Sequence, residues 1–146
     1  MRMVFCSPPV TIFFRKAILI LLLEENLKLA LKAAHEAGSV AMSYFETSSY
    51  EIKNKSYNNP VTTADYKTNN VIKEILLHDK STYGWLSEET VDSKERLKKD
   101  YVWVVDPIDG TKEFIEGLPQ FSISIALVYK GDPIIGVIYN PATKEM

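Results

Sequence analysis

The chain has 146 residues, 46% hydrophobic and 25% charged, enough for one domain with a real core and ordinary for a soluble globular protein. With 17 basic and 19 acidic residues, the net charge of -2 gives nucleic acid no electrostatic claim as the main partner. A single cysteine, Cys6, excludes an internal disulfide framework and is compatible with a reducing cytoplasm.

The first 23 residues, MRMVFCSPPVTIFFRKAILILLL, are apolar but interrupted by Arg15 and Lys16. The unbroken run from Ala17 to Leu23 is far shorter than the roughly 20 residues that a bilayer crossing needs. No small-residue cleavage site follows it. Residues 1–21 therefore read as an N-terminal extension leading into the first helix, with a weak membrane anchor as the alternative. From about Leu22 to Phe45, Leu27, Ala30, Leu31, Ala34, Gly38, Ala41, Met42 and Phe45 recur at helical spacing, with Glu24, Lys28, Lys32 and Glu36 on the other side. His35 has no ligand-spaced partner there and reads as structural. Residues 46–60 are polar and turn-rich, with at most a short strand around Tyr50 to Lys53.

Thr62 or Thr63 can cap a second helix whose buried face includes Val71, Ile72, Ile75 and Leu76. Tyr83 to Leu86 is a short strand running into Ser87-Glu88-Glu89, and Thr90 to Asp100 a charged loop or short helix. Tyr101 to Val105 reads as a buried strand that must end at or near Asp106, because Pro107 cannot continue a central ladder. Phe121 to Tyr129 and Ile134 to Tyr139 form a hairpin about the turn Lys130-Gly131-Asp132-Pro133. The order helix, helix, strand, strand, hairpin predicts an α+β layer structure rather than an alternating wind.

The stretch WVVDPIDGTKEF, residues 103–114, carries the chemistry. Two acids, Asp106 and Asp109, close a strand just before a short helix that Thr111 can cap and Gly117 can stop. The first amides of a helix attract anions such as phosphate, which bare carboxylates would repel. Carboxylates holding divalent cations would not, so the pattern suggests a metal-assisted phosphate site with Mg²⁺ favoured by all-oxygen ligands. A turn in which both acids bond the backbone explains that spacing equally well. Glu88 with Glu89 at one strand end, and Asp65 in the first turn of the second helix, add acids at element ends. Taken singly, the former reads as a solvated pair and the latter as a capping acid.

Pro60-Val61-Thr62-Thr63-Ala64-Asp65, Leu86-Ser87-Glu88-Glu89 and Trp103 to Phe114 resemble, in order, the metal-site motifs of the inositol monophosphatase family. Its members are Mg²⁺-dependent, lithium-sensitive phosphomonoesterases of the sugar-phosphatase-like αβαβα sandwich. The resemblance covers roughly Leu22 to Met146, corresponding to an N-terminal α+β domain of two helices on a mainly antiparallel sheet. Lys112-Glu113-Phe114 and Ser87-Glu88-Glu89 are similar to the 3'(2'),5'-bisphosphate nucleotidases of the CysQ type, which dephosphorylate adenosine 3',5'-bisphosphate from sulfate assimilation. Inositol monophosphatase itself is the alternative, although those enzymes usually read Thr-Asn-Phe and Gly-Glu-Glu at these places.

By matched position, the resemblance implies that Glu88, Asp106, Asp109 and the carbonyl of Ile108 are Mg²⁺ ligands in a site of two or three ions. It places Asp65 beside a further metal-bound water. Thr111 with Glu88 would orient and deprotonate the attacking water, and the Gly110 and Thr111 amides would hold the phosphate. The implied reaction is direct in-line attack by water on a small phosphorylated substrate, with no phosphoenzyme. The family continues for about another domain, bearing one more metal-ligating Asp and most of the leaving-group pocket. The 146 residues alone are therefore expected to be weak or inactive, and the loss should weaken the leaving-group metal most. A homodimer, a complementing C-terminal half, or a non-catalytic remnant that keeps metal and phosphate affinity are the other expectations. An exposed sheet edge and a domain-facing apolar surface should accompany this arrangement.

Overall fold

A computed structural model describes residues 9–78 and 82–146, with side chains from residue 13 onward. Cys6 and the rest of residues 1–8 lie outside the described residues. The first helix, α1 (Pro9–Thr47), begins well before Leu22 and continues to Thr47. Its buried line is Asn26, Ala30, Ala33, Ala34, Ala37, Gly38 and Ala41, whereas the expected Leu27 is 40% exposed. The correction has a polar cause. Asn26 takes the inner position because its Nδ2 donates to the Leu22 carbonyl at 2.8 Å and the Tyr83 hydroxyl at 3.3 Å. The alanines let α1 lie close on α2, β5 and β6. His35 is exposed, its ring 4.6 Å from that of Tyr139, a packing role.

A hairpin follows, β1 (Ile52–Ser56) and β2 (Asn59–Thr62), joined at Tyr57-Asn58 with Asn58 at φ 56°. Asn59-Pro60 hid β2 in the sequence, yet proline is tolerated here because a two-stranded ribbon consists only of edges. Asn54 pairs with Pro60 and Ser56 with Asn59, so Lys55 is an extra residue, a bulge. In α2 (Thr63–Leu77), Thr62 is the N-cap and Asp65 completes a capping box. Ile72 and Leu76 are fully buried, while Val71 and Ile75 are half-buried.

The main sheet has the order β3-β4-β5-β6, from β3 (Gly84–Ser87), β4 (Tyr101–Asp109), β5 (Ser122–Tyr129) and β6 (Asp132–Tyr139). Only β3 and β4 run parallel. Between them a 3₁₀ turn, Lys94–Lys98, sits in an exposed charged stretch. Two helices on one side of this mainly antiparallel sheet make the expected α+β layer.

β4 does not stop at Asp106. Regular pairing runs to Asp106 with Ser124 and resumes at Asp109 with Ser122, three steps on one strand against two on the other. That bulge absorbs Pro107, whose missing N–H would have broken an even ladder. Beyond it, α3 (Thr111–Ile115) is pinned by Phe114, whose ring lies 5.0 Å from Phe121 and 5.4 Å from both Phe45 and Tyr50.

Candidate functional site

The parallel pairing of β3 with β4 explains why acids far apart in sequence meet. Ser87 lies opposite Val105, and the Glu88 amide donates to the Val105 carbonyl at 3.3 Å. Glu88 and Asp106 thus leave the carboxyl ends of adjacent parallel strands, where open sheets form their crevices. The β4 bulge resets side-chain alternation after Pro107 and keeps Asp109 close enough for its charge to act on Asp106.

Asp65 approaches from the first turn of α2 and is buried. Its Oδ2 accepts from the Thr62 amide at 2.7 Å and the Thr62 hydroxyl at 2.6 Å. Its Oδ1 lies 3.0 Å from the Thr111 hydroxyl, which is also 3.1 Å from the Ile108 carbonyl. One hydroxyl therefore ties α2, the β4 bulge and α3 together. Thr111 was expected to cap α3; Gly110 does so instead, in the left-handed region at φ 98°. A side chain at the cap position would contend with this backbone conformation, and Thr111 is freed to bond Asp65. Asp65→Ala should cost about 2–4 kcal/mol in denaturant unfolding, because it strips the α2 cap and orphans the buried Thr62 groups.

Two further residues belong to the cluster. The bulge in β1 aims Lys55 at the acids, its Nζ 2.6 Å from Glu89 Oε1 and 3.3 Å from Glu88 Oε1. Burial opposes the Lys55 charge, but the hydrogen bonds and charges of Glu89 and Glu88 outweigh it and raise its pKa. Glu89 has a side chain only 4% exposed, and its Oε2 is buried with no hydrogen-bond partner. Burial raises its carboxyl pKa despite Lys55. The sequence marks Glu89 with Glu88 as an acid pair at a strand end but gives no sign of Lys55, since a bulge inside a polar hairpin leaves no periodic signal.

Electrostatic crowding is strongest at Asp106. Burial first, then the charges of Glu88 and Asp109 and a hydrogen bond with Glu88, push its pKa to about 7. No three His, Cys, Asp or Glu side chains among the described residues stand in a finished metal-holding arrangement. The donor chemistry nevertheless fits a hard divalent cation: carboxylates forced together, an orphaned buried Glu89 oxygen, and a lysine ammonium as the only cation bonded to Glu88 and Glu89 among the described residues.

Asp109, Gly110, Glu113, Gln120, Phe121, Ser122 and Asn140 line an open depression of about 420 Å³ beside these acids. A depression of about 430 Å³ near Arg96 and Lys130 has Leu86, Val102, Val104 and Val128 in its lining. The structure thus places Glu88 and Asp109 near enough for their charges to act on Asp106, joins Asp65 and Ile108 through Thr111, and turns the chain at Gly110 between them.

The inositol-1-monophosphatase of Rhizobium meliloti (strain 1021) is 36% identical over 121 residues, covering 82% of this chain and 45% of that protein. The 3'(2'),5'-bisphosphate nucleotidase CysQ of Escherichia coli (strain K12) is 38% identical over 115 residues, covering 77% of this chain and 47% of its own. The crystal structure of CysQ from Bacteroides thetaiotaomicron superposes with a TM-score of 0.69 at 37% identity, covering 82% of this chain and 44% of that one. The chain spans about half the length of the curated relatives it matches. The model of the inositol monophosphatase family matches residues 22–146, the stretch that supplies every acid of the site, and the chain belongs to that family.

Proposed function

We propose that this chain provides the metal- and phosphate-holding part of a Mg²⁺-dependent phosphomonoesterase, with adenosine 3',5'-bisphosphate as the preferred substrate class. The observation that carries the reading is the acid set at the carboxyl ends of β3 and β4, crowded enough to hold Asp106 near neutrality of pH. Glu88, Asp106, Asp109 and the Ile108 carbonyl would hold Mg²⁺. The bound ions would screen phosphate charge and acidify water. Asp65 receives the Thr111 proton, leaving Thr111 Oγ1 a lone pair with which to accept from and align an attacking water. Glu88, half-exposed at the strand end, is the base for that water. The Gly110 and Thr111 amides open α3, where helical N–H groups lack partners within the helix, and suit a phosphate oxygen.

Calorimetric titration of the chain with Mg²⁺, followed by phosphate release from adenosine 3',5'-bisphosphate, tests the reading. A saturable Mg²⁺ site and weak turnover are expected, with a complementing C-terminal half restoring activity. A titration without saturable heat would remove the proposal. Lys55 competes for the same carboxylates, so Lys55→Ala should tighten Mg²⁺ about fivefold. An unchanged affinity would place Lys55 outside the site.

Inositol phosphate is the alternative substrate, favoured by the similarity to the Rhizobium enzyme. Lys112 and Glu113 favour the nucleotide, and side-by-side assays of the two substrates on the complemented protein separate them. In a reducing cytoplasm a partner half would dock on the sheet face of Val102, Val104 and Val128 and beside the exposed Ile138 of β6. A homodimer through the same surface is the other arrangement.

A further inference from the structure

α1 carries apolar residues out of the core and into solvent. Phe13 is 80% exposed, Phe14 66%, Ile18 64%, and Leu19, Ile20 and Leu21 each at least half. Core packing begins only at Leu23. From there the side that bears Arg15, Lys16 and Leu19 continues as the core side, at Asn26, Ala30 and Ala33. The opposite side stays exposed, from Phe14, Ala17 and Leu21 to Glu24, Glu25 and Lys28. A partner helix longer than a turn or two must therefore lie along this outer side.

The sequence is symmetric about Ile20 in a way that suits such a partner. Lys16 and Glu24 stand at equal distances from Ile20, and so do Arg15 and Glu25. Apolar residues match likewise, Ile18 with Leu22 and Phe13 with Leu27. Two antiparallel copies crossing at Ile20 would set each cation level with an acid of the other. At about 100° per residue, Lys16 and Glu24 lie on one flank of the line from Ala17 to Leu21, and Arg15 and Glu25 on the other. A two-fold axis perpendicular to both helices keeps like flanks together. Level and flank thus agree for both charge pairs.

We propose that the exposed part of α1 docks a second copy of this chain, laid antiparallel along its outer side. Phe14, Ala17 and Leu21 form the seam, and Leu27, 40% exposed in the single chain, is covered by the partner's Phe13. Arg15 and Lys16 wrap their aliphatic stems along the flanks to reach the partner's Glu25 and the partner's Glu24. A parallel pair would instead set Arg15 against Arg15 and Lys16 against Lys16. An anionic lipid surface under the outer side would meet Glu24 and Glu25 before either cation. Charge thus selects the antiparallel copy. The surface is separate from the acid cluster and does not depend on the reading of that site.

Equilibrium sedimentation of the full chain tests this, and a dimer at micromolar concentration is expected. Arg15→Glu with Lys16→Glu, and separately Glu24→Lys with Glu25→Lys, should each weaken the dimer about tenfold or more. Mixed in equal amounts, these two variants should pair with each other as the parent pairs with itself, because every charge then meets its opposite. All four positions are exposed, so far-ultraviolet circular dichroism should show each variant folded. Phe14→Ser with Leu21→Ser, which leaves the charges intact, should also give a monomer. A parent chain that sediments as a monomer overturns the proposal; if phosphatidylglycerol vesicles carry that monomer down, the face belongs to a lipid surface. A dimer that the charge variants and the serine variant leave intact overturns it too, by assigning the contact to another face. So do folded charge variants that stay apart on mixing.

Discussion

Asp106→Asn is expected to abolish saturable Mg²⁺ binding and, in the same protein, to stabilise the metal-free fold. Both effects have one cause. Asp106 is partly desolvated and faces the charges of Glu88 and Asp109, so its own negative charge is unfavourable until a cation arrives. Folding raises its pKa from the model-peptide value of 3.8 to about 7. Between those values the unfolded chain has lost the proton that the folded chain keeps, so stability falls as pH rises from about 4 to about 7 and then levels. After discounting for solvent screening of a half-exposed group, the charge costs about 1–2 kcal/mol at the upper end. Asparagine keeps the shape and removes the charge. Its urea midpoint in a chelator should exceed that of the parent at pH 8 and converge with it near pH 4. Mg²⁺ should stabilise the parent and leave the variant untouched. A variant less stable than the parent at pH 8 would show that Asp106 is compensated in the free protein and would remove the crowding argument.

The two β-bulges explain how far the site could be read from sequence. Asp106, Asp109 and Thr111 stood out because they interrupt an apolar run, and Glu88 because it follows one; such breaks survive in one dimension. Their convergence did not, since it depends on Ser87 lying opposite Val105 in the only parallel pair of the sheet. Pro107 gave the right warning and the wrong place, because a proline can end a strand or be carried by a bulge, and pairing beyond it to Ser122 decides which. Lys55 is the extreme case. It is the unpaired residue of a bulge in a two-stranded ribbon, aimed at acids 33 and 34 positions away. The long helices, the β5–β6 hairpin with Lys130 and Gly131 both at positive φ, and the capping Thr62 were legible because local chemistry fixes them. Leu27 and Asn26 exchanged places for a nonlocal reason, the hydroxyl of Tyr83.

The same dependence on backbone placement makes Gly110 the most consequential small residue of the site, and a paired substitution measures it. Gly110 and Gly117 flank α3 with similar left-handed backbones, φ 98° and 73°. A Cβ at Gly117 would meet nothing within 4 Å, so Gly117→Ala should cost only the conformational strain, about 1 kcal/mol. At Gly110 the added atom would lie 2.7 Å from the Gln120 carbonyl oxygen and 3.2 Å from the Phe121 Cα. Neither is the yielding end of a side chain. Phe121 is held by Phe45 and Phe114, and the next residue, Ser122, pairs with Asp109. Relief must come from moving the Gly110 turn, which carries Thr111 away from Asp65 and Ile108. Gly110→Ala should therefore cost about 3 kcal/mol, the strain plus the overpacking, and also lose Mg²⁺ binding, although alanine touches no carboxylate. Urea unfolding and calorimetry on the two alanine variants separate these contributions. Equal destabilisation would mean that the Gln120 loop yields freely and that Gly110 serves only its own dihedral angles. Mg²⁺ binding intact in Gly110→Ala would mean that the acids hold their places without the Thr111 tie.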